Sequence, residues 1–227
     1  MDLNDRELIR RKIRSPRSAA IAGLIFSILL ITQMIIFYPF SLALESPNRI
    51  DPDFLDKWAK GISVVLSIIP FTGIAFLWFT GVIRDWLGQK EDRFFSTIFL
   101  GSGIIFVVLL FIFAAVLGTL YTTFALSDQL AMENDIILFG HTLMSQLLGN
   151  YGLRMAGVYM LSIGTLWTRT GHAPRWLIIL TYIVAIAFFL FAGSIREARF
   201  AFPAWVFVVS VYILILNYRT DKEERVG

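Results

Sequence analysis

No cysteine occurs in the 227 residues. That excludes disulfides, thiolate metal sites, iron–sulfur clusters and thiol catalysis. Histidine is nearly as scarce, with only His141 and His172. The topology derived below puts these two on opposite membrane faces, so they cannot ligate one zinc or haem together. There is no HExxH and no glycine-rich phosphate loop, which removes the commonest zinc-protease and nucleotide sites. Charge is thin as well, at 16% of the chain. No lysine falls inside an apolar run, so a Schiff base within the bilayer is excluded. No Asp or Glu lies in the middle of a run, which removes the usual intramembrane proton relay and the aspartyl dyad. A serine nucleophile such as Ser67, Ser102 or Ser162 has no base in its own run. These absences set the expectation of no bound cofactor and no catalytic set.

What is present is hydrophobicity. Apolar residues make up 57% of the chain, and the mean hydropathy is +0.71. Runs of roughly 18 apolar residues read as transmembrane helices, since about 20 helical residues cross the hydrocarbon core. Six such spans are expected, at about 19–40, 62–83, 94–120, 152–168, 176–193 and 203–218. The fold class is therefore an all-α membrane bundle of six helices. A basic arm, residues 1–18, precedes it, and a polar tail, residues 219–227, follows. No small-residue cleavage site follows the first run, which reads as a retained anchor.

Orientation follows from the basic residues. Most of the 20 Lys and Arg cluster in the arm, the loops near Arg84 and Arg169, and the tail. The other side holds only Arg49, Lys57, Lys60, Arg154, Arg196 and Arg199. Both termini are thus expected in the cytoplasm, in a plasma membrane of prokaryotic type. The pI of about 9.3 rests on a net charge of +3. Topogenic flanks explain that charge without a nucleic acid partner.

Local signals refine the spans. Gln33, the one strongly polar side chain of the first span, is expected to bond to a neighbouring helix, an interaction worth about 0.6 to 2 kcal/mol. Residues 53–60 read as a short surface helix, and Pro70 as a kink in the second span. Ser63 and Ser67 share one face and would admit a close neighbour. Asp135 to Leu148, DIILFGHTLMSQLL, is apolar at helical spacing but too short to span. It reads as an interfacial or re-entrant helix between spans three and four. Trp78, Trp86, Trp167, Trp176 and Trp205 fall near span ends, where an aromatic belt places them. The 21 phenylalanines read as lipid-facing surface. Thr72–Arg84 and Ala156–Arg169 echo each other, as duplicated hairpins would.

One polar cluster remains, on the external side: Arg154, His141, Arg196, Glu197 and Arg199, with Asp128, Glu133 and Asp135 in the preceding segment. As a binding site it would be an arginine-lined vestibule for an anionic headgroup or small anion. As structure, Arg154 would snorkel at the rim and pair with Asp128, Glu133, Asp135 or Glu197. Near the interface an arginine costs far less than the roughly 2.5 to 3.5 kcal/mol of the bilayer centre, so the structural reading of Arg154 is preferred.

Three functions are weighed. The first is a non-enzymatic scaffold, accessory or lipid-interacting subunit, with membrane lipids and a membrane protein or second copy as partners. The second is a small transporter with an outward vestibule, its polar path lined by Gln33, Ser67, Thr72, Ser162 or Thr165. The third is a membrane enzyme on lipid headgroups with His141 as base.

Overall fold

A computed structural model describes residues 16–44, 52–87, 93–126, 134–171 and 173–226. Among the described residues every regular element is helical. They are α1 (Pro16–Leu44), α2 (Pro52–Leu87), α3 (Arg93–Leu126), α4 (Asn134–Met144), a π-helical segment (Ser145–Gly152), α5 (Leu153–Thr170), α6 (Arg175–Phe191), a 3₁₀ turn (Arg196–Phe200) and α7 (Ala201–Val226). Apolar sequence of this length forms helices because each backbone donor then finds its acceptor within the same segment. Among the described residues four stretches are long and apolar enough to cross a membrane: Arg17–Leu44, Trp58–Arg84, Phe94–Thr123 and Arg196–Tyr218. Arg175–Phe191 is apolar but shorter.

Several boundaries differ from those expected. α2 starts at Pro52, so residues 53–60 are its first turns and not a separate surface helix, and it passes through Pro70 without ending. α7 continues to Val226, which makes the polar tail helical along most of its length. The stretch 135–148 is not a detached helix either. Met144 and Leu153, which flank the π segment, both keep right-handed helical dihedrals. α4, the π segment and α5 therefore form one unbroken helical rod from Asn134 to Thr170. Pro203, in contrast, lies in the first turn of α7, where its missing N–H costs nothing.

Tight turns join the last elements. Gly171 ends α5 with φ 70°, and its N–H donates to the Trp167 carbonyl at 2.9 Å. Pro174, extended at φ −70° and ψ 151°, opens α6. Gly193 takes φ 81° in the turn after α6. Only glycine adopts these two left-handed conformations without strain.

α1 packs against α2 and α7, α2 against α3, α3 against α5, and α5 against α6. Small residues let α1 and α7 approach closely. A Cβ on Gly23 would collide with the Ser210 hydroxyl and lie 2.7 Å from Phe79 Cδ2.

The centre is aromatic. Phe76 sits 4.7 Å from Phe26, 5.4 Å from Phe106, 5.7 Å from Phe202 and 5.2 Å from Tyr159, ring centre to ring centre. Tyr159 stacks 4.4 Å from Phe99, and its hydroxyl shares a 3.1 Å hydrogen bond with Thr80. These phenylalanines are buried, so they form the core and not the lipid-facing surface expected of them. The tryptophan belt is corrected in part too. Trp78 and Trp176 are 49% and 55% exposed, but Trp167 and Trp205 are 1% and 2% exposed. Trp205 tolerates burial because its indole N–H donates to Thr181 at 2.8 Å. Trp167 packs 6.1 Å from it.

The α6–α7 connection is recessed. Tyr38 of α1 donates to Glu197 Oε1 at 3.3 Å, yet α1 runs on to Leu44, about 9 Å further. Phe113 of α3 meets Phe37 of α1, and α3 continues about 20 Å beyond it to Leu126. The turn 192–200 thus floors a recess whose walls are the far ends of α1 and α3, with α4 packed on both.

Candidate functional site

At that floor lies a half-open cavity of about 70 Å³. α1 lines it with Leu30, Gln33, Met34 and Phe37, and α3 with Phe106, Leu110 and Phe113. Val65, Leu148, Leu153 and Phe202 complete the apolar wall. Two polar side chains enter it, Gln33 and Arg199.

Arg199 is half-buried and reaches the cavity from the 3₁₀ turn. Its neighbours in the turn hold that turn against α1. Glu197 accepts from Tyr38, and the Arg196 guanidinium lies 6.0 Å from the centre of the Tyr38 ring. The guanidinium of Arg199 rests on Gly149. A Cβ there would lie 3.5 Å from Nε and 3.6 Å from both Cζ and Nη2. Near-equal distances to three atoms of one plane mean that Gly149 faces the flat side of the group. The Gly193 N–H donates to the Gly149 carbonyl at 2.9 Å, tying the π segment to the same turn.

The π segment also shapes the wall. Residues five apart on an α-helix point about 140° away from each other. The i→i+5 turns of a π-helix bring such residues nearly into line. Leu148 and Leu153, five apart, accordingly line one cavity.

Gln33 is 4% exposed and donates its amide nitrogen to Thr72 Oγ1 on α2. The interhelical bond expected of Gln33 is therefore present. The other proposed path residues do not join it. Ser67 is exposed and bonds back to the Ser63 carbonyl at 2.8 Å, so that small-residue face meets no helix among the described residues. Ser162 bonds to the Val158 carbonyl, and Thr165 shares a 3.2 Å bond with Tyr182.

The remaining candidates are dispersed. Arg154 is half-buried in the first turn of α5, and no hydrogen bond or ion pair joins it to another described residue. Asp135 is exposed at the start of α4. In a continuous rod, 19 residues separate it from Arg154, about 28 Å along the axis, so Asp135 is out of reach as a partner. Glu197 bonds to Tyr38 instead. Asp128 and Glu133 lie outside the described residues. His141, half-buried on α4, is about 12 Å further along the rod than Gly149. A buried carbonyl oxygen, Asn150 Oδ1, also has no partner among the described residues, though its amide nitrogen donates to Gln146 at 2.9 Å.

Arg199 shares a cavity with Gln33 and contacts Gly149, a grouping that the sequence does not display. Gln33 stands in the sequence as an isolated polar residue and Arg199 as a hairpin charge, but no spacing relates positions on α1, the π segment and the 3₁₀ turn.

Fold and cavity together define a class: an all-helical bundle with several helices fit to cross a membrane and an arginine at the floor of an apolar recess. Comparison narrows this no further, since no family model, curated protein or solved structure matches the chain.

Proposed function

We propose that this is a six-span membrane protein with a non-enzymatic, lipid-interacting role, and that the recess accepts a membrane amphiphile whose anionic group meets Arg199. α6 serves as the fifth span despite its 17 residues, about 25 Å of helix, because the recess shortens the path at that point. The rod from Asn134 to Thr170 supplies the fourth. Both termini lie on the cytoplasmic side and the recess opens outward, as the distribution of basic residues favours. Partners are membrane lipids and, beyond them, a membrane protein or second copy.

The observation that carries the reading is a cavity whose lining is apolar apart from Gln33 and Arg199. Ligand pockets combine such walls with a few placed polar groups, and arginine suits phosphate or carboxylate. The packed rings of Phe26, Phe76, Phe106 and Phe202 beneath the cavity favour binding over a polar transport path. The absence of cysteine and the isolation of the two histidines in sequence favour a role without catalysis.

Lipids that remain with the purified protein can be identified by mass spectrometry. Anionic species should be enriched over the bulk membrane, and Arg199→Gln should reduce their retention by roughly 10- to 100-fold, the worth of a charge-assisted hydrogen bond. Retention unchanged in Arg199→Gln would remove the basis of the proposal.

A further inference from the structure

Arg154 sits deeper than the rim. Two contacts fix the level of α5 against α3. The Arg169 guanidinium lies 4.9 Å from the centre of the Phe95 ring, and a Cβ on Gly103 would lie 3.2 Å from Tyr159 Cε2. Counting along these antiparallel helices puts Arg154 beside residues 108–110, the middle of the apolar stretch Phe94–Thr123. Wherever a core about 30 Å thick falls within that stretch, the Arg154 backbone lies at least about 6 Å inside it. The level against α6 is equally defined. A Cβ on Gly157 would lie 3.2 Å from the Ala185 carbonyl and 3.5 Å from Phe188 Cβ, and one on Gly193 would lie 3.8 Å from Asn150. Arg154 is therefore level with Phe191, where α6 ends. Direction follows from the turn of about 100° per residue. Arg154 points midway between Gly157, which faces α6, and Arg169, which faces α3, about 60° from each. α3 and α6 both pack on α5 and share no comparable interface, so Arg154 stands in a lateral cleft between them. Leu153, which lines the cavity of Arg199, points about 100° away.

We infer that this cleft holds a phospholipid, its phosphate on Arg154 and its acyl chains along Val158 and Leu161, drawn inward from the level of the bulk headgroups. A charged side chain without a partner is costly at this depth, and no hydrogen bond or ion pair joins Arg154 to another described residue. A second copy brings no free acid to it. Apart from Glu197, which accepts from Tyr38, the four membrane-length stretches contain no Asp or Glu. Arginine suits phosphate, and the end of α6 beside it gives a headgroup access from the recess. The order of residues on this face also matches the ligand. Gln146, Asn150, Arg154, Val158 and Leu161 follow one another from the recess inward, all at least partly exposed. Polar, then cationic, then apolar is the order of headgroup, phosphate and chain in a lipid of the leaflet on that side. The cleft is separate from the cavity of Arg199, so either site can fail without the other.

Photo-crosslinking with a phosphatidylglycerol that carries a diazirine in its acyl chain locates the lipid on the full-length protein in detergent micelles. Peptide mass spectrometry should find adducts concentrated around Val158 and Leu161 of α5 and on the facing turns of α6. At limiting lipid, Arg154→Gln should lower these adducts by roughly 10- to 100-fold, the worth of a charge-assisted hydrogen bond. Adducts elsewhere on the apolar surface should stay unchanged. Arg154→Lys should retain part of the signal, and Arg199→Gln should leave it intact. Unlabelled dioleoyl phosphatidylglycerol should protect the cleft, whereas dioleoylglycerol, without phosphate, and glycerol 3-phosphate, without chains, should not. Should Arg154→Gln fold poorly, the wild-type map and these competitions decide the point. Adducts spread evenly over every exposed face, or unchanged in a folded Arg154→Gln, would mean that water alone serves Arg154 and would overturn the site. Equal protection by dioleoylglycerol would overturn the phosphate contact. Equal protection by glycerol 3-phosphate would replace the lipid by a free phosphate. Loss of the cleft adducts in Arg199→Gln would overturn its separation from the cavity.

Discussion

Polar side chains inside this bundle are few, and most have settled their hydrogen bonds within one or two helices. Tyr159 illustrates how. It is fully enclosed among Phe76, Phe99, Phe202 and Trp205, and its hydroxyl is shared with Thr80. Tyr159→Phe keeps the ring and removes only that bond, so it should cost about 0.6 to 1.5 kcal/mol and lower the melting temperature in detergent by a few degrees. Tyr159→Ala empties the centre of the cluster and should cost about 3 to 5 kcal/mol, which thermal unfolding would register as a far larger loss. Gly23 marks the opposite problem, a place with no room. Gly23→Val would press into Phe79 and Ser210, costing about 1 to 3 kcal/mol through overpacking. Adding Ser210→Ala should recover part of that loss, because one of the two obstructing groups is then smaller. If the double variant were as unstable as Gly23→Val alone, α1 and α7 would not meet at these residues.

Among the elements, the π segment has the most specific task. Its wide turns place Leu148 and Leu153 on one wall, and its Gly149 supports the guanidinium. Deletion of the exposed Gln146 should let the rod relax to a regular α-helix and rotate α4 by about 100° relative to α5. Helical circular dichroism should then be preserved while retention of anionic lipid falls. A deletion variant that keeps its lipid would show that the register of the rod is irrelevant to the cavity. Gly149→Val tests the same element without changing its length. Its branches would enter the space of the guanidinium, so lipid binding should weaken with little loss of melting temperature.

For the molecule as a whole, the six-span reading specifies which helix ends share a side of the membrane. The absence of native cysteine makes single-cysteine labelling clean. Six spans require Lys60→Cys and Ser194→Cys, both at exposed positions, to react with an impermeant maleimide from the outside of intact cells. Thr168→Cys and Trp176→Cys, also exposed, should react only after the membrane is opened. Labelling of Ser194→Cys and Thr168→Cys from the same side would mean that α6 does not cross.

Helicity and the approximate positions of the apolar segments were determined by the sequence alone, because each long apolar segment must satisfy its backbone internally whatever its neighbours are. The bond expected of Gln33 followed from the same local logic, since a lone polar group in hydrocarbon needs a partner. Burial was not readable in this way. Phe, Trp and Leu are equally at home against lipid and against one another, so no hydrophobic pattern separated the core phenylalanines from the lipid-facing ones. Tertiary structure decided three further matters: the continuity of residues 134–170 through wide turns, the recess left by a short α6, and the meeting of Gln33, Gly149 and Arg199 at its floor. Each depends on contacts between segments far apart in the chain, and such contacts are set by packing between helices, which local sequence does not encode.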